Sequence, residues 1–294
     1  MLYAAFLDAI EGQARRLLRL RGADARRFLS GSVSGDLDAL APDRAVTAAL
    51  LTVKGKLVSE LVVLAGADSI DAWIPQDVFD AVARAFDEHI VMDDVVLEPV
   101  PDHAAAIVWD DDGETVALPA GITVVHTRHP LPAQLAVGPA ELLQRALAAA
   151  EPVDRVEFER ARIESGTPGW GAELRPGFFP PEVGFVYAVS YTKGCYMGQE
   201  PLARLHARGQ VHRVMVRVVL ERACAVGTEL AAEAREDAGT LTTCVGEVGG
   251  AAGLAIVRRE FASPGGVLRT RGDAAVAVRV VSGPLGDDEG LRKS

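Results

Sequence analysis

The chain has 294 residues, of which 49% are hydrophobic and 24% charged, with a net charge of −11; this composition is ordinary for a folded soluble protein, and the length suffices for two or more modest domains. No run approaches the roughly 20 apolar residues that span a bilayer, and the start has no basic segment before its apolar residues as a signal peptide would, so the expectation is a cytoplasmic protein with no membrane partner. The acidic balance disfavours general affinity for nucleic acid, because there is no overall positive field to displace counterions.

In chain order, residues 11–30 begin with an amphipathic stretch carrying Ala14, Leu17, Leu18 and Leu20, after which Asp24 is placed to cap a helix through Phe28 and Leu29. Residues 46–64 read as a hairpin turning at Lys54-Gly55-Lys56, its second strand over 57–64. Val78, Val82, Phe86 and Ile90, four apart, predict a helix over 76–90, and Val95-Val96-Leu97 a strand after it. Between 104 and 125, short strands flank the acidic turn Asp110-Asp111-Asp112-Gly113. That turn reads as a solvated hairpin tip rather than a metal site, since an EF-hand-like loop needs alternating ligands and a closing glutamate. Helices are expected over 139–150 and from Val153 toward Gly166, the second carrying Arg160, Arg162 and Glu164. After Arg213 the texture changes to valine-rich strands cut by glycines, over 214–220, 241–248, 254–257 and 274–281, which suits a small barrel. The tail from Gly283 is expected to be disordered.

The run Lys193-Gly194-Cys195-Tyr196-Met197-Gly198-Gln199-Glu200 sets a thiol between two glycines, a lysine and an acid. Glycines there let the backbone turn or let something approach closely, and Lys193, two residues from the sulfur, would favour the thiolate. The three cysteines, Cys195, Cys224 and Cys244, are odd in number, widely spaced and without a C-x-x-C pair, so neither a disulfide framework nor a zinc site is indicated and no metal ligands are expected. An iron–sulfur cluster, which usually takes four cysteines, would not reside on this chain alone. Between Tyr187 and Arg217 five Lys or Arg face one acid; this basic window points to an anionic ligand and leaves tRNA open as a partner. His206 and His212 flank the window without metal-ligand spacing.

Taken with Arg204 and the following Arg208-Gly209-Gln210-Val211-His212-Arg213, the motif resembles the signature of the YgfZ family. These are folate-binding proteins related to the T-protein (aminomethyltransferase) of the glycine cleavage system, and they support iron–sulfur cluster proteins. The resemblance implies an α+β fold, a T-protein-like ring of three subdomains with a small C-terminal β-barrel. Residues 1–213 would form a folate-binding region of two subdomains, 214–282 the barrel and 283–294 the tail. Tetrahydrofolate or a derivative is implied in the central opening, with acids on the pterin and basic groups near its tail.

The stretch 52–63 resembles the T-protein strand that bears the catalytic aspartate, with Glu60 in its place; on a half-buried strand such a residue is otherwise free to face water. Arg162-Ile163-Glu164 resembles the family's Arg-x-Glu, whose glutamate can accept two parallel hydrogen bonds from the pterin N–H edge. The residues implied for folate are thus Glu60, Glu164, Lys193, Arg204 and Arg208, with Cys195 as the functional thiol. The implied role is a folate-binding accessory protein in the assembly or repair of iron–sulfur proteins, with client or assembly proteins as partners. The alternative is a tetrahydrofolate-dependent aminomethyltransferase or demethylase, disfavoured by glutamate in place of aspartate. A third reading is an interaction module presenting 193–213 to a protein or tRNA.

Overall fold

The computed structural model describes residues 1–285 except Glu11, Glu114, Gly209, Gln210, Ala234, Val248, Asp273 and Ala274. Gly209-Gln210 of the basic run, Val248 and Ala274 of the expected strands, and the tail beyond 285 therefore lie outside the described residues.

Two strands open the chain, β1 (Leu2–Phe6) and β2 (Arg15–Arg21), followed by α1 (Ala25–Ser32). Asp24 stands at the start of α1 but does not cap it. Its carboxylate instead accepts the Asp94 N–H at 2.9 Å and pairs with Arg27, so it ties the helix start to a distant loop. The hairpin expected at 54–56 forms between β3 (Val46–Leu51) and β4 (Leu57–Ala65). After it come β5 (Ile70–Pro75), α2 (Phe79–Asp87) and β6 (Val96–Val100). These strands make one antiparallel sheet in the order β3-β4-β5-β2-β6.

A second sheet combines β1 with β7 (His103–Asp110), β8 (Thr123–Thr127), β9 (Ala133–Pro139) and, beyond α3 (Ala140–Ala146), the two-residue β10 (Glu151–Pro152). Its order is β10-β1-β7-β9-β8. Because β9 lies between β7 and β8, the acidic turn is not the tip of a hairpin; Asp111 there accepts the N-terminal amine at 2.9 Å.

The first sheet is covered on both faces. On β4, Leu61 and Val63 pack with Leu18, Phe28 and Phe86 beneath the helices, whereas Val62 and Leu64 pack with Leu17, Trp73, Ile107 and Leu135 toward the second sheet. Successive strand side chains point to opposite faces. Glu60 therefore shares the face of Val62 and Leu64 and is carried into the interface between the sheets.

The rest of the chain frames this interface. Helix α4 (Arg155–Ser165) starts in a capping box between Asp154 and Glu157 and stops at Gly166, whose φ of 67° is a left-handed conformation suited to glycine. Two short 3-10 turns and α5 (Gln199–Arg208) follow. The barrel then closes from β11 (Arg213–Leu220), β12 (Glu229–Ala232), β13 (Arg235–Glu247), β14 (Gly250–Arg258), β15 (Val267–Thr270) and β16 (Ala277–Val280), in the order β11-β14-β13-β12-β15-β16. Closure leaves no unpaired sheet edge. Alternate residues Val214, Val216 and Val218 fill its interior with Leu241, Val257 and Val278. At the end of the described chain, the Leu285 N–H donates to the Met215 carbonyl at 2.8 Å and Leu285 packs against the barrel, so the first residues of the expected tail are seated. Among the described residues no helix is long and apolar enough to cross a membrane.

Candidate functional site

Strand parity assembles a buried polar centre. Arg15 shares its face of β2 with Leu17, as Glu60 shares its face of β4 with Val62, and the two meet with side chains 2% and 0% exposed. Arg15 Nη2 donates to Glu60 Oε1, and Nη1 donates to the Gln13 carbonyl at 2.6 Å and to its side-chain oxygen at 3.1 Å. The segment between β8 and β9 brings in His129, whose Nε2 contacts Glu60 Oε2. On its other side, His129 Nδ1 lies 3.1 Å from the Tyr187 hydroxyl, and the Phe185 ring meets the imidazole edge-on at 5.3 Å.

Burial pushes the Glu60 carboxyl up and Arg15 opposes it. Burial, then Arg15 and Arg162, hold His129 well below its ordinary value, so its imidazole is neutral at neutral pH. Burial also raises the Tyr187 hydroxyl well above its usual range. Glu60 thus does not face water: it is sealed behind His129 and neutralised by Arg15.

Tyr187 and Arg128 border two cavities, with the Arg128 guanidinium 4.9 Å from the Tyr187 ring centre. The larger, about 380 Å³, is also lined by Asp36, Thr47 and Tyr191; the smaller, about 190 Å³, by Ser165, Thr167 and Leu285. A third cavity, about 710 Å³, lies between Gln13, α4, Trp170 and β13. A polar chain therefore runs from the cavities at Tyr187, through His129, Glu60 and Arg15, to Gln13 on the wall of the third.

None of the six residues expected from the sequence lines these three cavities. Glu164 is exposed on the last turn of α4, directly before Ser165. Its neighbour Arg162, 1% exposed, points the other way. It donates to Glu173 at 2.7 Å, Glu159 at 2.6 Å, the Thr167 carbonyl at 2.8 Å and Thr243 at 2.7 Å, which ties α4 to the barrel. Burial opposes this guanidinium's charge, but Glu173 and Glu159 hold it more firmly protonated on balance.

Lys193 has a task the sequence does not suggest. Its ammonium turns inward and donates to the carbonyls of Ser30, Val33 and Gly35 at 2.6–2.7 Å, closing the end of α1 instead of serving Cys195. Burial pulls it down to about 8, with Asp36 and Asp38 opposing. Gly198, at φ 79°, backs onto the β3–β4 turn; a Cβ there would sit 2.5 Å from the Thr52 carbonyl and 3.1 Å from Gly55. The two glycine motifs of the sequence thus meet by close backbone contact. Cys195 is exposed, and a Cβ on Gly194 would have no atom within 4 Å. Cys224 and Cys244 are half-buried against the barrel core, with the Cys224 N–H 3.5 Å from the Cys244 sulfur.

On α5, Arg204 pairs with Glu200 at 2.5 Å, and both Arg204 and Arg208 are exposed. His206 lies between them in sequence, hence on the other side of the helix, and stacks on Tyr191 with ring centres 4.3 Å apart. Gln13, Arg15, Arg128, His129 and Tyr187 are members of the site that no motif in the sequence marks. The one available signal is parity, which puts Arg15 on the buried face of Leu17.

No protein-family model matches the chain. It is 27% identical over 301 aligned residues to "tRNA-modifying protein YgfZ" of Yersinia pseudotuberculosis serotype IB (strain PB1/+), covering 93% of this chain and 91% of that protein. The protein of the same name from Yersinia enterocolitica serotype O:8 is 26% identical over 284 residues, covering 88% and 86%. Among solved structures, the aminomethyltransferase T of the glycine cleavage system from Bartonella henselae superposes with a TM-score of 0.79 at 13% identity, over 96% of this chain and 85% of that one. The expected resemblance thus holds along nearly the whole length: the chain is a homologue of the YgfZ proteins, built on the fold of the glycine-cleavage aminomethyltransferase.

Proposed function

We propose that this chain is a folate-binding accessory protein supporting the assembly or repair of iron–sulfur proteins, with tetrahydrofolate or a derivative as ligand and Cys195 as functional thiol. The observation that carries this reading is the junction at Tyr187. The Tyr187 ring stands beside the Arg128 guanidinium, Tyr191 lines the same cavity, and the Tyr187 hydroxyl connects through His129 to Glu60. A pterin calls for a flat aromatic wall and acceptors for its N–H edge, and its glutamate tail calls for a cation.

Glu164, beside the smaller cavity in sequence, is assigned to the pterin N–H edge, and Arg128 to the first carboxylate of the tail. Arg204 and Arg208 are assigned to further carboxylates of a polyglutamate tail, and Lys193 acts indirectly by seating the thiol loop. The relatives' name, tRNA-modifying protein, favours iron–sulfur clients that modify tRNA. Glu60 touches Arg15 and His129 rather than a cavity, which weighs against direct proton transfer from it to a substrate and hence against aminomethyl transfer.

The test is calorimetric titration with tetrahydrofolate. Saturable binding is expected, weakened about ten- to a hundredfold by Glu164→Gln or Arg128→Ala, the loss of one charged hydrogen bond. Absence of saturable binding to the unmutated protein overturns the reading.

A further inference from the structure

We infer that Glu60 fixes the tautomer of His129 and through it the hydrogen-bonding polarity of Tyr187, so that the centre offers a bound molecule an acceptor and not a donor. Arg15 is the fixed charge of the centre. Its guanidinium has no uncharged state in a protein, and at 2% exposure it needs a counter-charge, which among the described residues only the Glu60 carboxylate supplies in direct contact. A protonated Glu60 would leave that buried cation uncompensated. The opposite assignment, a charged His129, would add a second buried cation beside Arg15, a state that burial, Arg15 and Arg162 all oppose.

Glu60 is then an acceptor only, and a neutral imidazole carries a single N–H. Among the described residues, neither Glu60 Oε2 nor His129 Nε2 has a hydrogen-bonding partner apart from the contact they make with each other. The proton must therefore sit on Nε2 and face the carboxylate. Nδ1 is left with a lone pair, and among the described residues the group set against it is the Tyr187 hydroxyl at 3.1 Å, which must donate. Tyr187 has one proton to give. With that proton turned inward, its oxygen has only lone pairs left to offer a molecule held in the cavities that the Tyr187 side chain lines. Glu60 and His129 are positioning residues in this scheme, and Tyr187 is the residue that discriminates: it receives N–H groups and repels carbonyl or carboxylate oxygens.

The identity of the ligand rests on the folate reading; the tautomer does not. The experiment is 15N NMR of the unliganded protein, with the His129 signals among the six histidines identified by their loss in His129→Gln. The expected spectrum shows a protonated Nε2 and an unprotonated Nδ1. An Nδ1–H tautomer or an imidazolium at neutral pH overturns the inference. Tyr187→Phe, which keeps the ring, should leave the tautomer unchanged while weakening tetrahydrofolate about two- to tenfold; a tautomer that changes in this variant shows that Tyr187, not Glu60, sets it, and also overturns the inference. Glu60→Gln gives the converse. Arg15 will claim the amide oxygen, so the amide N–H₂ faces His129 and the proton should move to Nδ1; retention of Nε2–H in a folded Glu60→Gln protein contradicts the scheme. An Nε2–H tautomer in a protein that does not bind tetrahydrofolate upholds this inference and overturns the folate reading.

Discussion

The buried centre and the thiol loop bear their polar groups under opposite conditions. At the centre, Glu60 and His129 are wholly buried, and removal of either strands a neighbour in a medium where unpaired polarity is costly. In the loop, Cys195 is exposed and Gly194 leaves open space where a side chain would stand. A defect at the centre therefore costs stability as well as the recognition proposed for it. A defect at Cys195 would remove the chemistry proposed for the thiol without disturbing packing, because the sulfur is exposed.

Substitutions can sharpen or break this contrast. The largest effect is expected for Arg15→Met, which leaves the Glu60 carboxylate buried without its cation and should cost about 3–5 kcal/mol in denaturant unfolding; a loss below about 1 kcal/mol would mean that the pair is not sealed. Lys193→Met removes three donors from the carbonyls at the end of α1, for an expected loss of about 1–3 kcal/mol, with faster hydrogen exchange in α1 as the local readout. Gly198→Ala should cost about 1–2 kcal/mol from the left-handed backbone alone, and more because the Thr52 carbonyl must move. The smallest effect belongs to Gly194→Ala, within about 0.5 kcal/mol of the parent. If Gly194→Ala nevertheless abolishes support of iron–sulfur enzymes in cells, the open space beside Cys195 is where a partner approaches; if both stability and support are retained, that space has no function.

The outlines of the fold are legible because they rest on periodicity: the β3–β4 hairpin, the helices at Phe79–Asp87 and Arg155–Ser165, and the valine-rich barrel all follow from local spacing. The short strands Glu229–Ala232 and Val267–Thr270 pair with each other across about 40 residues of chain, and Ile70–Pro75, although it turns back on its neighbour Leu57–Ala65, owes its other edge to the distant Arg15–Arg21; such short strands carry little local signal. The acidic turn misleads for a related reason, since only long-range pairing places β9 between β7 and β8. At the site, the glycine–cysteine motif is visible as a string, but its lysine serves a helix 160 residues away in sequence. His129 and Tyr187 come from separate loops, and nothing local marks them as the link between Glu60 and a cavity. Arg162 and Glu164 stand two apart yet have opposite fates, one buried under three elements and the other in solvent.

Recognition is proposed at the Tyr187 junction and chemistry at Cys195, two places that substitution can separate. Cys195→Ser tests this separation most directly, because a serine hydroxyl keeps nearly the same size but stays protonated and cannot replace a thiolate. The measurement is calorimetric titration of the purified variant with tetrahydrofolate alongside an assay of iron–sulfur enzyme activity in cells carrying it. The predicted result is unchanged folate affinity and unchanged thermal stability with support of the enzymes lost; full support by Cys195→Ser, or loss of folate binding in a folded Cys195→Ser protein, contradicts it.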